Sequence, residues 1–138
     1  MPHLVLLYTP ALEQRTNFDT LCRDLANCML AQRDEQNKPV FPKGGTRVLA
    51  YPAAHHAVGD EQAPHERPYQ FLYLNLRMAT GRSEAVKKTA GDALVDVLHR
   101  HFDPHLAQHL IGITLQIDET PPVYDGRISS LHPYFNPT

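Results

Sequence analysis

Apolar and polar residues follow two different periods along this chain, and the switches between them mark its elements. The opening run Leu4-Val5-Leu6-Leu7-Tyr8 is continuously apolar and stops at Thr9-Pro10, which reads as a short buried strand. Residues 9–15 are a connection. Phe18, Leu21, Cys22, Leu25, Cys28 and Met29 then recur at helical spacing, so a helix is expected over residues 17–32, with Thr16 as its cap and Asp19 in its first turn. The polar stretch 32–38 ends it, and Pro39 and Pro42 frame a turn. Residues 46–51 read as a second strand, stopped by Pro52. Residues 53–68 form a long loop, rich in proline, histidine and acids, of a length that is usually mobile or functional. A third strand is expected over residues 69–78. Tyr69, Phe71, Tyr73, Asn75 and Arg77 lie on one face and Gln70, Leu72, Leu74 and Leu76 on the other; apolar groups on both faces ask for cover on both.

Ser83 is a natural N-cap for a second helix over residues 84–102, whose inner stripe is Val86, Ala90, Ala93, Leu94, Val97 and Leu98. Asp103-Pro104 is expected to break it. A fourth strand follows over residues 110–118, with Ile111, Ile113, Leu115 and Ile117 on one face. The tail 119–138 is too apolar for a solvated end and too irregular for an element, and is expected to lie on a neighbouring subunit. The order strand, helix, strand, given twice, predicts an α/β fold. Two βαβ units with right-handed crossovers build a four-stranded mixed sheet with both helices on one face. No helix is left for the other face, and oligomerisation is the simplest cover.

Length bounds this picture to a single domain, residues 1–138, with 119–138 as an intersubunit arm; 138 residues suffice for a real core. A formal charge of −2 gives no basis for binding nucleic acid or anionic membranes. No apolar run is long enough to span a membrane, and the first residues lack the basic flank of a signal peptide. A cytoplasmic location is the expectation. Cys22 and Cys28 stand six apart on a helix and point to different faces, so they are not expected to pair.

The candidate chemistry starts at Pro2. As an internal residue it is an ordinary first residue of a strand. With Met1 removed it carries a free secondary amine whose direction the ring fixes, and such a nitrogen, kept neutral, is a general base. Two arginines are its candidate partners. Arg47 starts the second strand after Gly44-Gly45, which leaves room for a ligand; Arg82 stands just before a helix N-terminus, where backbone N–H groups favour an anion. A guanidinium grips a carboxylate through two hydrogen bonds where an ammonium cannot.

Three stretches, Pro2-His3-Leu4-Val5, Phe41-Pro42-Lys43-Gly44-Gly45-Thr46-Arg47 and Leu76-Arg77-Met78-Ala79-Thr80-Gly81-Arg82-Ser83, together resemble the tautomerase superfamily. They are most similar to its 5-carboxymethyl-2-hydroxymuconate isomerases, over nearly the whole chain. Two departures are visible: Leu49 stands where that family would have a second arginine, and the connections 32–38 and 52–68 are longer than usual for it. The resemblance implies a homotrimer with sheets packed around a threefold axis and tails crossing between subunits, in aromatic-compound catabolism. It implies Pro2, Arg47 and Arg82 as catalytic groups, with Arg47, Arg82 and His3 against a small anionic unsaturated carboxylate. The expected reaction moves a proton from the enol oxygen of a 2-hydroxy-diene carboxylate to a distant carbon, giving the conjugated ketone.

No cofactor or metal is expected. Asp103-Pro104 interrupts the spacing of His101, His105 and His109, and His55, His56 and His65, with Asp60, Glu61 and Glu66, show no ordered ligand spacing. His3 also suits a plain hydrogen-bonded strand histidine, and Ser83 needs no role beyond its cap. Two other readings compete. One is another proline-dependent reaction on a small unsaturated acid, a hydration or dehalogenation. The other is an oligomeric binding protein of the same fold without chemistry, favoured by Leu49.

Overall fold

A computed structural model describes residues 2–60 and 62–137. Met1, on which the processing expectation falls, lies outside them, as do Glu61 and Thr138. Four strands form one sheet: β1 (His3–Tyr8), β2 (Arg47–Pro52), β3 (Gln70–Met78) and β4 (Ile111–Glu119). Their order across it is β2-β1-β3-β4. β1 runs parallel to β2 and antiparallel to β3, and β3 runs parallel to β4. The two parallel pairs are the two crossover units, closed by α1 (Phe18–Ala31) and α2 (Glu84–Leu106). β2 is an edge strand and so accommodates Pro52 as its last residue, where the missing N–H faces no neighbour.

Alternation decides which side carries the core. Leu4, Leu6 and Tyr8 from β1 and Leu72, Leu74, Leu76 and Met78 from β3 are buried on the helix side. They meet Leu21, Leu25 and Met29 of α1 and Val86, Ala90, Leu94, Val97, Leu98 and Phe102 of α2. The other face carries Leu7, Leu49 and Tyr51, 43%, 42% and 50% exposed within the single chain. Neither helix covers it, as the element count implied.

Several local expectations are corrected. Asn17, not Thr16, caps α1; its side chain accepts from the Thr20 N–H at 3.0 Å. Thr16 is taken instead by His101 Nδ1 at 2.7 Å, while His101 Nε2 meets Asp24 at 2.8 Å. That chain of hydrogen bonds ties the start of α1 to α2. The connection after β1 contains a 3-10 turn, Pro10–Gln14. Nor does Asp103-Pro104 break α2, which runs on to Leu106. Pro104 removes one hydrogen bond in the last turn, whereas Phe102 is completely buried and holds that turn on the sheet. Both cysteines are free, half-buried thiols, raised in pKa chiefly by burial.

The tail is also more structured than expected. Leu131–Phe135 forms α3, and it packs on this chain's own 3-10 turn Lys43–Gly45. Between β4 and α3, Val123, Tyr124 and Ile128 stand almost wholly exposed.

Replacing the anchor of the α2 end is expected to be costly. Phe102→Ala should lose about 3–5 kcal/mol of stability, measured as a lower urea midpoint. An unchanged midpoint would place the end of α2 outside the core.

Candidate active site

The sheet brings the sequence-predicted residues to one end. β1 and β2 both begin there, and β3 and β4 both finish there. Pro2 is buried immediately ahead of β1. Carrying the registers one step beyond His3↔Arg47 and His3↔Arg77 sets Pro2 between Thr46 and Met78. On the uncovered face, one row across the strands reads Arg47, His3, Arg77, Asp118. Two guanidinium-bearing residues therefore flank the histidine that follows the proline.

Arg77 is the residue that sequence reasoning missed. Strand alternation had assigned it to a face but could not say what stood beside it. The antiparallel register supplies that neighbour. A second arginine thus reaches this row from β3. Arg77 is exposed, and Asp118, its register partner, accepts instead from Asn75 Nδ2 at 2.6 Å.

His3 feels both arginines. Its pKa lies below the usual 6.5, through partial burial first and then the positive charge of Arg47 and Arg77.

Arg82 comes to the same end by a different route. It lies in the turn between β3 and Ser83, the N-cap of α2. Its Nη1 donates to Ala79 O at 3.1 Å and its Nη2 to Val40 O at 2.8 Å. The guanidinium sits 5.5 Å from the centre of the buried Phe41 ring, a cation–π distance. Arg82 thus clasps the segment leading to Arg47, with no carboxylate paired to it among the described residues. Ser83 is an ordinary cap: its Oγ accepts from the Val86 N–H at 3.2 Å and donates to Glu35.

One expectation about the arginine turn is corrected. The space above Gly44 is not open to a ligand; the His132 ring of α3 fills it. Arg47 Nη1 reaches back to Gly45 O at 3.5 Å, so this turn and the guanidinium stay in touch.

The histidines elsewhere assemble no metal centre among the described residues: no group of three or more His, Cys, Asp or Glu is placed to hold an ion. The continued helix does align His101 with His105, but His101 is bound by Thr16 and Asp24.

Comparison with known proteins identifies the family. A sequence model described as CHMI, 5-carboxymethyl-2-hydroxymuconate isomerase, matches residues 2–135. The chain belongs to the 5-carboxymethyl-2-hydroxymuconate isomerase family. It is accordingly an enzyme, an isomerase of the tautomerase fold. A crystal structure of a 5-carboxymethyl-2-hydroxymuconate delta-isomerase is 45% identical, with a TM-score of 0.91 over 100% of this chain and 95% of that one. A 5-carboxymethyl-2-hydroxymuconate isomerase from Deinococcus radiodurans R1 is 32% identical, with a TM-score of 0.83 over 98% of this chain and 94% of that one. The Escherichia coli 5-carboxymethyl-2-hydroxymuconate Delta-isomerase is 23% identical over 96 residues, 70% of this chain and 73% of that one. A fused 4-OT described as a symmetric trimer, 13% identical, shares the fold at a TM-score of 0.56 over 91% of this chain and 93% of that one.

The histidine between the arginines has a signature in the stability profile. Its folded pKa is below the unfolded value of 6.5, so on acidification the unfolded chain takes up the proton first. His3 therefore costs the fold nothing above about pH 6.5 and lowers stability as pH falls from there through the folded pKa. In His3→Gln, the decline of Tm over that window is expected to be shallower. An identical acid limb in both proteins would show that His3 does not sit in this field.

Proposed function

We propose that this enzyme ketonises a 2-hydroxy-diene carboxylate with more than one anionic group, as a 5-carboxymethyl-2-hydroxymuconate delta-isomerase does, with Pro2 as the proton carrier. The carrying observation is the position of Pro2, buried at the start of β1 and adjacent in register to the row Arg47, His3, Arg77. In the proposed reaction the neutral Pro2 amine removes the proton from the enol oxygen. The electrons shift along the diene, and the protonated amine returns a proton to the distant carbon. The product is the conjugated ketone, and the amine is regenerated. Arg47 and Arg82 bind substrate carboxylate, Arg77 a further anionic group, and His3 lies alongside as a neutral donor or acceptor. One positive field thus serves both recognition and base activation.

The same reading includes a homotrimer, with residues 119–138 as an intersubunit arm. Its support is the uncovered face with Leu7, Leu49 and Tyr51, and the outstanding side chains Val123, Tyr124 and Ile128. A cytoplasmic setting completes it, supported by two unpaired thiols. Among the described residues no helix is long and apolar enough to cross a membrane.

The decisive experiment compares termini. Intact mass establishes whether a preparation begins at Pro2, and kcat/KM for an enol substrate is measured on that preparation. Protein with Met1 attached has only an amide nitrogen at Pro2 and is expected to be about 10²–10⁴-fold slower. Equal activity with and without Met1 would sink the proline mechanism.

The arginines are tested one at a time. Arg47→Ala or Arg82→Ala should lose about 1.5–3 kcal/mol of transition-state binding, roughly ten- to over a hundredfold in kcat/KM. Arg→Lys should recover only part of it, because the two-pronged geometry is gone. Arg77→Ala should raise KM for a doubly charged enol far more than for a singly charged one. Wild-type constants in all three alanine variants would mean the site is elsewhere.

A further inference from the structure

The short helix α3 packs on the turn that delivers Arg47. Gly44 is buried and its backbone lies outside the left-handed region, so conformational freedom does not explain a glycine there. Space does. A Cβ built on Gly44 would collide with His132 Nδ1, and would lie 3.1 Å from Cε1 and 3.4 Å from the His132 Cα. The imidazole occupies the place where a side chain on Gly44 would stand.

The tail is built to hold that ring in place. Ser129 Oγ accepts from the Leu131 N–H at 3.1 Å and from the His132 N–H at 3.3 Å, starting the helical turn. Asn136 N–H donates to His132 O at 2.9 Å and closes it. One turn further, Phe135 lines a cleft with Cys22, Ala26 and Leu30 of α1 and with Lys43, Thr46 and Val48. α3 therefore meets the turn at Gly44 and borders the cleft beside it. The turn is fastened from within as well: Gly45 N–H and Thr46 N–H both donate to Pro42 O, at 3.1 and 3.0 Å, and Thr46 Oγ1 donates to the same oxygen at 2.9 Å. Arg82 holds the upstream end through Val40 O. Arg47, which follows directly, touches Gly45 O.

We propose that His132 is a positioning residue for Arg47: its ring, packed on Gly44, buttresses the turn that aims the guanidinium at substrate. α3 is then a strap that completes the binding site from the far end of the chain. This rests on the reading of Arg47 as a carboxylate ligand. Loss of the ring leaves the base at Pro2 untouched but lets the arginine wander, so the cost falls on binding.

The test is a double-mutant cycle on Gly44→Ala and His132→Ala, using protein that begins at Pro2. His132→Ala is expected to raise KM for the enol about five- to tenfold with kcat changed less than twofold. It should also speed amide hydrogen exchange at residues 43–47. Gly44→Ala alone should do more, because its methyl drives the ring and α3 away. In the His132→Ala background the same methyl meets only ordinary contacts, so it should add less than twofold in KM and little in exchange. Equal effects of Gly44→Ala in both backgrounds, or unaltered KM and exchange in His132→Ala, overturn the proposal. The exchange arm needs no substrate. If no enol were turned over by the native protein, the functional reading would fail and the arginine-aiming role with it, whereas an active enzyme with an additive cycle would sink the strap alone.

Discussion

Everything at the active end of this molecule depends on how β1 is held. It is the strand that joins the two crossover units, parallel to β2 on one side and antiparallel to β3 on the other. Leu4 and Leu6 are wholly buried beneath the helices. A shift of one residue along either neighbour would turn both leucines toward the uncovered face and carry His3 inward, so the register is strongly specified. Pro2 sits one residue beyond this locked segment. Its position thus follows from the hydrophobic burial of the strand it precedes.

Positive charge is the second organising feature, and the backbone arranges it economically. Arg47, Arg77 and Arg82 come from three separate segments. Strand register sets Arg47 and Arg77 on either side of His3. Arg82 spends two N–H groups on the carbonyls of Ala79 and Val40, which fastens the β3–α2 turn to the segment preceding Arg47. A group proposed to bind substrate is thus also a structural tie, and its replacement will touch the tie as well. Following Tm alongside kcat/KM separates them.

The single chain also shows where it is unfinished. One face of the sheet lacks a covering layer, and the segment after β4 projects Val123 and Ile128 into solvent without a partner on its own chain. Apolar area of that kind is costly to leave wet. The proposed trimer removes the cost, and it does so next to the end of the sheet where Pro2 and the arginines stand.

Much of this was legible in the residues alone. Two periods, 2 and 3.6, separate strand from helix because side chains alternate across a strand and wind around a helix. That sufficed for four strands, two long helices and their order, and the three motif stretches were enough to propose Pro2, Arg47 and Arg82. Local rules failed where a distant contact outweighed them. Thr16 is a good cap, yet His101, far along the chain, takes its hydroxyl, and Asn17 caps instead. Asp103-Pro104 is a helix stop, but the burial of Phe102 carries α2 past it. Register and long-range packing leave no periodic trace, since they pair residues with no fixed separation along the chain. Only the tertiary structure could set Arg77 beside His3, and only it could lay His132 on Gly44.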